Sequence, residues 1–248
     1  MWDVIAFYKS ISSATLTQLD PVTTGEDIYS TSGSDFYLRG KNKLLWAFGI
    51  GTTATRAQLK TPIWSSVPIE VPVYRFGNFA LLNDNWTNPF VGSPIVLGKP
   101  NDTLSGYGAT GAGSAEDNYL VLALGDRPLR KVDKFDLIWR LTGSTTLTEN
   151  AWTTVSLTPD VKLPAGKYRI VGMIAISAGA IAARIIPPAG ETVRPGFVAG
   201  RTEHNAFINK NLFDTGIVFD PTSIPKVQFL SSSADTSETV LFFLRKVG

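Results

Sequence analysis

The chain has no cysteine and a single histidine, and both facts restrict its chemistry. Without cysteine there is no disulfide framework, no zinc–thiolate site and no cysteine nucleophile. A Ser-His-Asp triad would have to use His204, and a zinc site built on it would lack partners. His204 lies in the polar segment Arg201–Asn205. We interpret it as a loop or interface histidine, which acid pH would charge.

Charge is also scarce. Charged residues make up 18% of the chain, and 23 basic against 21 acidic residues leave a net charge of +2. The basic clusters are small: Arg127, Arg130, Lys131 and Lys134 in one segment, and Arg245 with Lys246 near the end. No basic arm precedes them, so we expect no strong direct nucleic-acid binding. So little charge also predicts that partner proteins cover much of the surface.

The sequence shows neither a signal peptide nor a long apolar run. Met1–Ile5 lacks a basic region followed by apolar residues. The longest apolar stretch, Ile170–Ile186, is interrupted by Gly172, Ser177, Gly179 and Arg184. We therefore expect a protein that is made and assembled in the cytoplasm in which it is synthesised and is not secreted.

Two halves of the sequence resemble each other. Three anchors occur in the same order in both halves. The first pairs Trp2–Ile5 with Phe135–Ile138, and the third pairs Leu120–Leu122 with Val240–Phe242. The second keeps one constant offset and aligns Gly40-Lys41 with Gly166-Lys167, Leu44-Leu45 with Ile170-Val171, and Pro62 with Pro188. The offset shortens from anchor to anchor, as loop insertions in the first half would produce.

Residue preferences indicate β-structure throughout. Strands are predicted at Val4–Tyr8, Leu44–Ile50, Ile69–Tyr74, Tyr119–Leu124, Leu137–Leu141, Trp152–Leu157, Tyr168–Ile176, Ala180–Ile186, Lys226–Phe229 and Val240–Leu244. Short helical turns are allowed only at Ser114–Asn118, Ala178–Ala183 and His204–Asn211. The prediction is an all-β chain of two tandem β-sandwiches or jelly rolls related by internal duplication, 1–126 and 127–248, with a linker at about 125–132.

Several segments were weighed as functional sites. Gly106–Ser114 lacks the lysine of a phosphate-binding loop and is predicted to be a flexible surface loop. Glu26-Asp27 with Asp35, and Glu116-Asp117, are alternatives for calcium binding or a glycosidase pair, although no spacing matches a known loop. No catalytic, cofactor-binding or metal-binding residue is assigned, no cofactor is expected, and the chain is predicted not to be an enzyme.

The tryptophans offer one competing function, a two-domain carbohydrate-binding protein of lectin type. Trp46 and Trp139 lie within predicted strands and are expected in the core, whereas Trp86 is the best exposed candidate for stacking on a sugar. The remaining candidates for such a platform are Trp64 and Trp152. A duplicated lectin would place aromatics at equivalent loops of both halves, and Trp86 has no such counterpart.

A family resemblance rests mainly on the second half. Its residues run through Leu163–Tyr168, Ser177–Arg184, Arg194-Pro195-Gly196 and Ser233–Glu238. This run is similar to capsid-like proteins of small bacterial viruses. Taken with the repeat, the chain resembles the double jelly-roll major capsid proteins of adenovirus-type viruses and tailless, internal-membrane icosahedral bacteriophages.

The resemblance implies a structural role in a virion. Three chains with two rolls each would form a pseudo-hexagonal homotrimer that self-assembles with neighbouring capsomers into an icosahedral shell. The implied partners are other copies of the chain, vertex (penton) proteins and minor capsid proteins, and an internal membrane is a further partner that the resemblance allows. The expected projections from the rolls are Leu81–Asp117 and Arg201–Asp220.

Overall fold

The computed structural model describes residues 1–75, 88, 90–188, 190, 192–200 and 212–247. These residues form β-strands joined by turns, and the one helical element among them is a 3-10 turn at Pro62–Trp64. The predicted all-β class is confirmed.

The chain divides into two compact units. The first unit is Val4–Pro128. The second unit is Leu129–Gly248 together with Met1–Asp3, so the first three residues pack with the second half of the chain.

The first unit contains two sheets. Its strands are β1 (Trp2–Ile11), β2 (Thr17–Gln18), β3 (Asp20–Pro21), β4 (Thr31–Ser32), β5 (Asp35–Tyr37), β6 (Lys43–Gly51), β7 (Ala54–Lys60), β8 (Ile69–Val71), β9 (Val73–Arg75), β10 (Ile95–Val96), β11 (Thr103–Thr110) and β12 (Glu116–Gly125). One sheet has the order β10-β6-β12-β1-β3, with β9 also paired to β6. The other has the order β4-β5-β11-β7-β8, with β2 also paired to β11.

The second unit repeats this plan. Its strands are β13 (Leu137–Gly143), β14 (Trp152–Val155), β15 (Leu157–Pro159), β16 (Lys167–Ile176), β17 (Ala180–Ile186), β18 (Gly196–Val198), β19 (Val218–Phe219), β20 (Lys226–Ser231) and β21 (Glu238–Val247). The sheet orders are β15-β13-β21-β16-β19 and β14-β20-β17-β18.

Both units have the strand order of a jelly roll. Let the eight principal strands of each unit be counted along the chain, omitting the short β2, β3, β4, β9 and β15. One sheet of each unit then has the order 1-8-3-6 and the other has the order 2-7-4-5. Two sheets connected in this way form the eight-stranded sandwich of two Greek keys. The repeat seen in the sequence therefore corresponds to a repeat of topology.

Two β-bulges occur at equivalent positions in the two units. Leu45 in β6 is skipped in the pairing with β12, and Val171 in β16 is skipped in the pairing with β21. Thr55 in β7 and Ile181 in β17 are likewise skipped against β11 and β20. Leu45 and Val171 are separated by the same number of residues as Thr55 and Ile181. This separation is also that of the paired residues in the second sequence anchor. Because a bulge is a local, residue-specific feature, its recurrence supports that alignment residue by residue.

The first sequence anchor is wrong by one residue. It aligns Ile5 with Ile138, yet Ile5 is fully buried and Ile138 is 49% exposed. Strand pairing gives the correct alignment, because Phe7 lies opposite Pro21 and Leu141 lies opposite Pro159. Aligning Phe7 with Leu141 places buried residues on buried residues. The error arises because a slip of one residue in a strand exchanges its two faces.

The core of the first unit lies between its two sheets. Buried side chains from both sheets form one cluster, which includes Ile5, Phe7, Leu44, Leu120 and Leu122 from one sheet and Phe36, Leu59, Ile69 and Leu104 from the other. In the second unit the buried side chains also come from both sheets, among them Trp139, Tyr168, Phe242, Val227 and Phe229. Burial of apolar surface on this scale is the main term that stabilises such sandwiches.

All the predicted strands are present, with altered ends and with Ile69–Tyr74 and Trp152–Leu157 each divided in two. The helical turns at Ser114–Asn118 and Ala178–Ala183 were wrong, since these segments lead directly into β12 and β17. The prediction at His204–Asn211 lies outside the described residues. The described part of each predicted projection is in part built into the fold: residues 90–117 include β11, and residues 212–220 include the buried Phe213 and Ile217. Residues 81–87, 89 and 201–211 of the predicted projections lie outside the described residues.

Candidate functional site

The glycine-rich segment is mostly a strand. Residues 106–110 belong to β11, which lies inside its sheet between β5 and β7, so the predicted flexible loop is wrong for this part. Gly106 lies against the opposite sheet, where a Cβ atom would stand 2.8 Å from the ring of Phe7. Its lack of a side chain serves packing within the sandwich. Only residues 111–115 form the turn that connects β11 to β12.

Glu26 and Asp35, two of the acidic residues proposed for calcium binding, hold local structure through hydrogen bonds. Glu26 Oε1 accepts hydrogen bonds from the backbone N–H groups of Ile28 and Tyr29, at 2.9 and 3.2 Å. Asp35 accepts one from the side-chain amide of Gln18, at 2.9 Å. Among the residues that the structure describes, no group of three or more acidic or histidine side chains is arranged to hold a metal ion.

In each unit, one carboxylate near the start of the last strand accepts hydrogen bonds from the turn between two central strands. These turns connect β6 to β7 in the first unit and β16 to β17 in the second. In the first unit, Glu116 accepts from the backbone N–H of Thr53, at 3.0 Å to each oxygen, and from the hydroxyl of Thr110. In the second unit, Asp235 accepts from the backbone N–H of Ala178, at 2.7 Å, and from the hydroxyl of Ser177. These carboxylates have the same structural role in both units.

The pKa values of Asp235 and Glu238 are shifted in opposite directions. Burial disfavours ionisation of Asp235, but hydrogen bonds from Ser177 and from neighbouring backbone N–H groups outweigh it and lower its pKa. Burial raises the pKa of Glu238, and the nearby charge of Asp235 adds to this effect. Oε2 of Glu238 accepts one hydrogen bond, from the backbone N–H of Thr145, and Oε1 is buried without a partner among the described residues.

Among the residues that the structure describes, the tryptophans do not form a platform for stacking on a sugar. Trp46 and Trp139 are 5% and 4% exposed, which confirms that they belong to the core. Trp152 is also buried, with the guanidinium of Arg184 4.2 Å from the centre of its ring. Trp64 donates its indole N–H to the carbonyl of Val96, at 2.8 Å. Trp86 and His204 lie outside the described residues.

Basic residues that are far apart in the sequence meet in a cleft of the second unit. We define the basic cleft by its lining residues: Arg130, Lys131, Val132, Asp133, Lys134, Arg169, Val171, Asp214, Arg245, Lys246 and Val247. Its volume is about 520 Å³. The cleft combines most of one predicted basic cluster with the whole of the other. Arg127 is not part of it and lies 3.8 Å from Asp126.

Comparison with known proteins gives little. No protein-family model matches the chain, and no curated protein matches it. Among solved structures, the major capsid protein P2 from bacteriophage PM2 is matched at 9% sequence identity. The match covers 100% of this chain and 98% of that one, with a TM-score of 0.23. A similarity of this size does not by itself establish a common fold.

Sequence reasoning missed two members of the basic cleft. Arg169 lies near the start of β16, and Asp214 lies before β19, so neither is adjacent to a basic cluster in the sequence. The signal that would have found Arg169 is strand pairing, because Arg169 lies directly opposite Arg245 in the ladder between β16 and β21.

Among the described residues, no helix is long and apolar enough to cross a membrane.

Proposed function

We propose that this chain is a non-enzymatic structural subunit of a viral shell, a major capsid protein with a double jelly roll. The observation that supports this most is the repetition, within one chain, of the same strand order and the same two bulges. A duplicated scaffold of this kind gives one polypeptide two similar lobes. It therefore lets a small number of subunits cover a surface of higher symmetry.

In the proposed assembly, three chains form a homotrimer whose six lobes approximate a hexagonal tile. Such trimers would contact neighbouring trimers in an icosahedral virion, with vertex and minor capsid proteins as further partners. Two properties favour this assembly. Most outermost strands of the sheets are only two or three residues long, which limits edge-to-edge aggregation. The charged fraction of 18% leaves surface for extensive protein contacts.

The polar groups of the two units support a structural role. Glu116 and Asp235 have hydrogen-bond partners that hold turns in place, which gives both carboxylates a structural role. Arg184 is fully buried, donates to Gln228 at 2.8 Å and stacks on Trp152. We assign these interactions to stability rather than to chemistry.

The test is the mass of the purified full-length protein, measured by light scattering after size exclusion over a wide concentration range. We expect a species of three times 26.8 kDa, or larger closed particles. Negative-stain images of the trimer should show six lobes. A protein that stays monomeric at the highest concentration reached would contradict the proposal.

A matched pair of variants makes this test specific. Ile138 is 49% exposed and lies opposite Phe243 in the sheet of β13 and β21, beside the apolar cluster of Ile174, Ile176 and Leu241. We expect Ile138→Asp to reduce the trimer fraction, because a contact between subunits would have to bury the new charge. Val161→Asp, at a more exposed apolar residue of the same unit, is the control and should leave the mass unchanged.

A further inference from the structure

We propose that the basic cleft of the second unit is a binding site for phosphoryl groups. This inference concerns a ligand site and does not depend on the assembly proposed above. It rests on three properties of the cleft: a rigid wall, an excess of positive charge, and an arginine with an unused donor.

The wall of the basic cleft is held by backbone hydrogen bonds. The N–H of Val132 donates to the carbonyl of Leu212 at 2.9 Å, and the N–H of Asp214 donates to the carbonyl of Arg130 at 2.9 Å. On the other side, the N–H of Lys246 donates to the carboxylate of Asp136 at 2.7 Å. These bonds fix the segments that carry the basic side chains. A ligand would therefore meet a largely preformed site, and less ordering would be needed to bind it.

The charges in the basic cleft are not balanced. Six basic side chains line it, against two acidic ones. Asp214 lies 3.0 Å from Arg169 and 4.0 Å from Arg130, so one carboxylate is shared between two guanidinium groups. Lys131, Lys134, Arg245 and Lys246 form no ion pair with any described residue. Repulsion among these cations disfavours an empty cleft, and a bound anion relieves it.

Arg169 supplies the directional element. Its Nη1 donates to Asp214, whereas its Nε–H is buried and has no acceptor in the described part of the chain. A buried donor without an acceptor is costly, and a small turn of the guanidinium toward the basic cleft would let a ligand oxygen satisfy it. The planar guanidinium presents its N–H groups as a fork that suits two oxygens of one phosphate. The surrounding lysines add positive charge, and their ammonium groups require no particular orientation of the phosphate.

The size of the site and the overall charge of the chain favour a small phosphorylated group over a long polyanion. The volume of about 520 Å³ is in the usual range for a small-molecule pocket. A site for an extended nucleic acid would be expected to carry a stripe of cations, whereas outside the basic cleft acidic residues slightly outnumber basic ones. The same phosphate chemistry is presented by free phosphates and by phospholipid headgroups.

The experiment is titration of the full-length protein with inorganic pyrophosphate by calorimetry, together with sedimentation with phosphatidylcholine vesicles that contain phosphatidylglycerol. We expect one pyrophosphate per chain and binding that weakens as salt is raised. The variant Lys134→Gln/Arg245→Gln removes two exposed cations of the basic cleft. It should weaken binding at least about tenfold, since each charge-assisted contact contributes substantially.

The control is Lys162→Gln/Lys226→Gln, which removes two exposed cations of the same unit outside the basic cleft. Both variants change the net charge equally, so only a local site distinguishes them. Vesicle binding that pyrophosphate displaces would identify a headgroup as the source, and pyrophosphate binding without vesicle binding would identify a soluble phosphate. The proposal is overturned if pyrophosphate does not bind, if both variants weaken binding equally, or if only long oligonucleotides bind.

Discussion

At the scale of single residues, the two units differ where the sequence places a charge in one and an uncharged residue in the other. Glu238 occupies the position in β21 that Asn118 occupies in β12, and both are buried. The amide of Asn118 donates to the carbonyl of Glu116, at 3.1 Å, which a carboxylate cannot do. Glu238 therefore brings a cost of burial that is absent from the first unit.

This cost predicts a pH-dependent effect of Glu238→Gln. Burial raises the pKa of Glu238 above its ordinary value of about 4.5, so the folded protein binds its proton more tightly than the unfolded chain. Relative to a neutral side chain, Glu238 then has no effect on stability in acid, and it lowers the free energy of unfolding progressively as pH rises from about 4.5 through the raised pKa. We expect the variant to gain urea stability relative to wild type between about pH 4 and about pH 7.

The measurement is the urea midpoint of tryptophan fluorescence for both proteins at each pH. Asp235 titrates in both proteins, so its contribution largely cancels in the difference. A difference in stability that is the same at both pH values would show that the proton on Glu238 is not the cause.

A pair of glycines in one segment gives a second prediction. A Cβ atom at Gly106 would stand 2.8 Å from the ring of Phe7, whereas at Gly113 nothing lies within 4 Å. We expect Gly106→Ala to lower the free energy of unfolding by about 1–3 kcal/mol through overpacking. Gly113→Ala should change it by less than about 0.5 kcal/mol. Urea denaturation of both variants tests this, and equal effects would mean that the contact with Phe7 does not limit the strand.

At the scale of elements, the bulges hold the register of the central strands. If Leu45 paired regularly with Leu124, the residues before it in β6 would move one place along the ladder with β12 and would change faces. Leu44 would then leave the core and Lys43 would face it. If Val171 paired regularly with Leu244, Arg169 would likewise take the face that Ile170 occupies. A bulge therefore keeps a basic residue out of each sandwich core.

Deleting either bulge residue should leave the register unchanged, because Leu44 and Ile170 already lie opposite Leu124 and Leu244. We expect a loss of about 2–4 kcal/mol in each case, because the buried side chain of Leu45 or Val171 is removed. Soluble yield and urea midpoints give the measurement. Deletion of Gly113, which is exposed in the turn between β11 and β12, is the control. If that deletion were equally harmful, shortening of the chain rather than loss of a buried side chain would be responsible.

At the scale of the whole molecule, the first residues of the chain belong to the second unit. The carboxylate of Asp3 accepts a hydrogen bond from the backbone N–H of Arg194, at 2.8 Å, and both residues are buried. The ring of Trp2 meets that of Phe197 edge to face, with the ring centres 5.3 Å apart. The second unit is therefore incomplete without residues from the opposite end of the sequence.

Asp3→Ala tests this arrangement. The N–H of Arg194 would lose its acceptor while remaining buried, and we expect a cost of about 1–3 kcal/mol. The loss should be local, so hydrogen exchange should increase at residues 193–198 in full-length protein. Asp20→Ala, at an exposed residue of the first unit, is the control. Unchanged exchange at residues 193–198 would show that the contact does not stabilise the second unit.

The sequence by itself determined the all-β class, the core tryptophans Trp46 and Trp139, and the repeat, because these depend on local preference and on the alternation of apolar residues. Its constant-offset anchor even aligned the bulge residues Leu45 and Val171. Only the tertiary structure decided the alignment of β1 with β13, since neighbouring aliphatic residues look alike until burial tells their faces apart. It alone brought Arg169 to Arg245 and assigned Asp3 to the second unit. These contacts join residues far apart in the chain, and no local pattern records them.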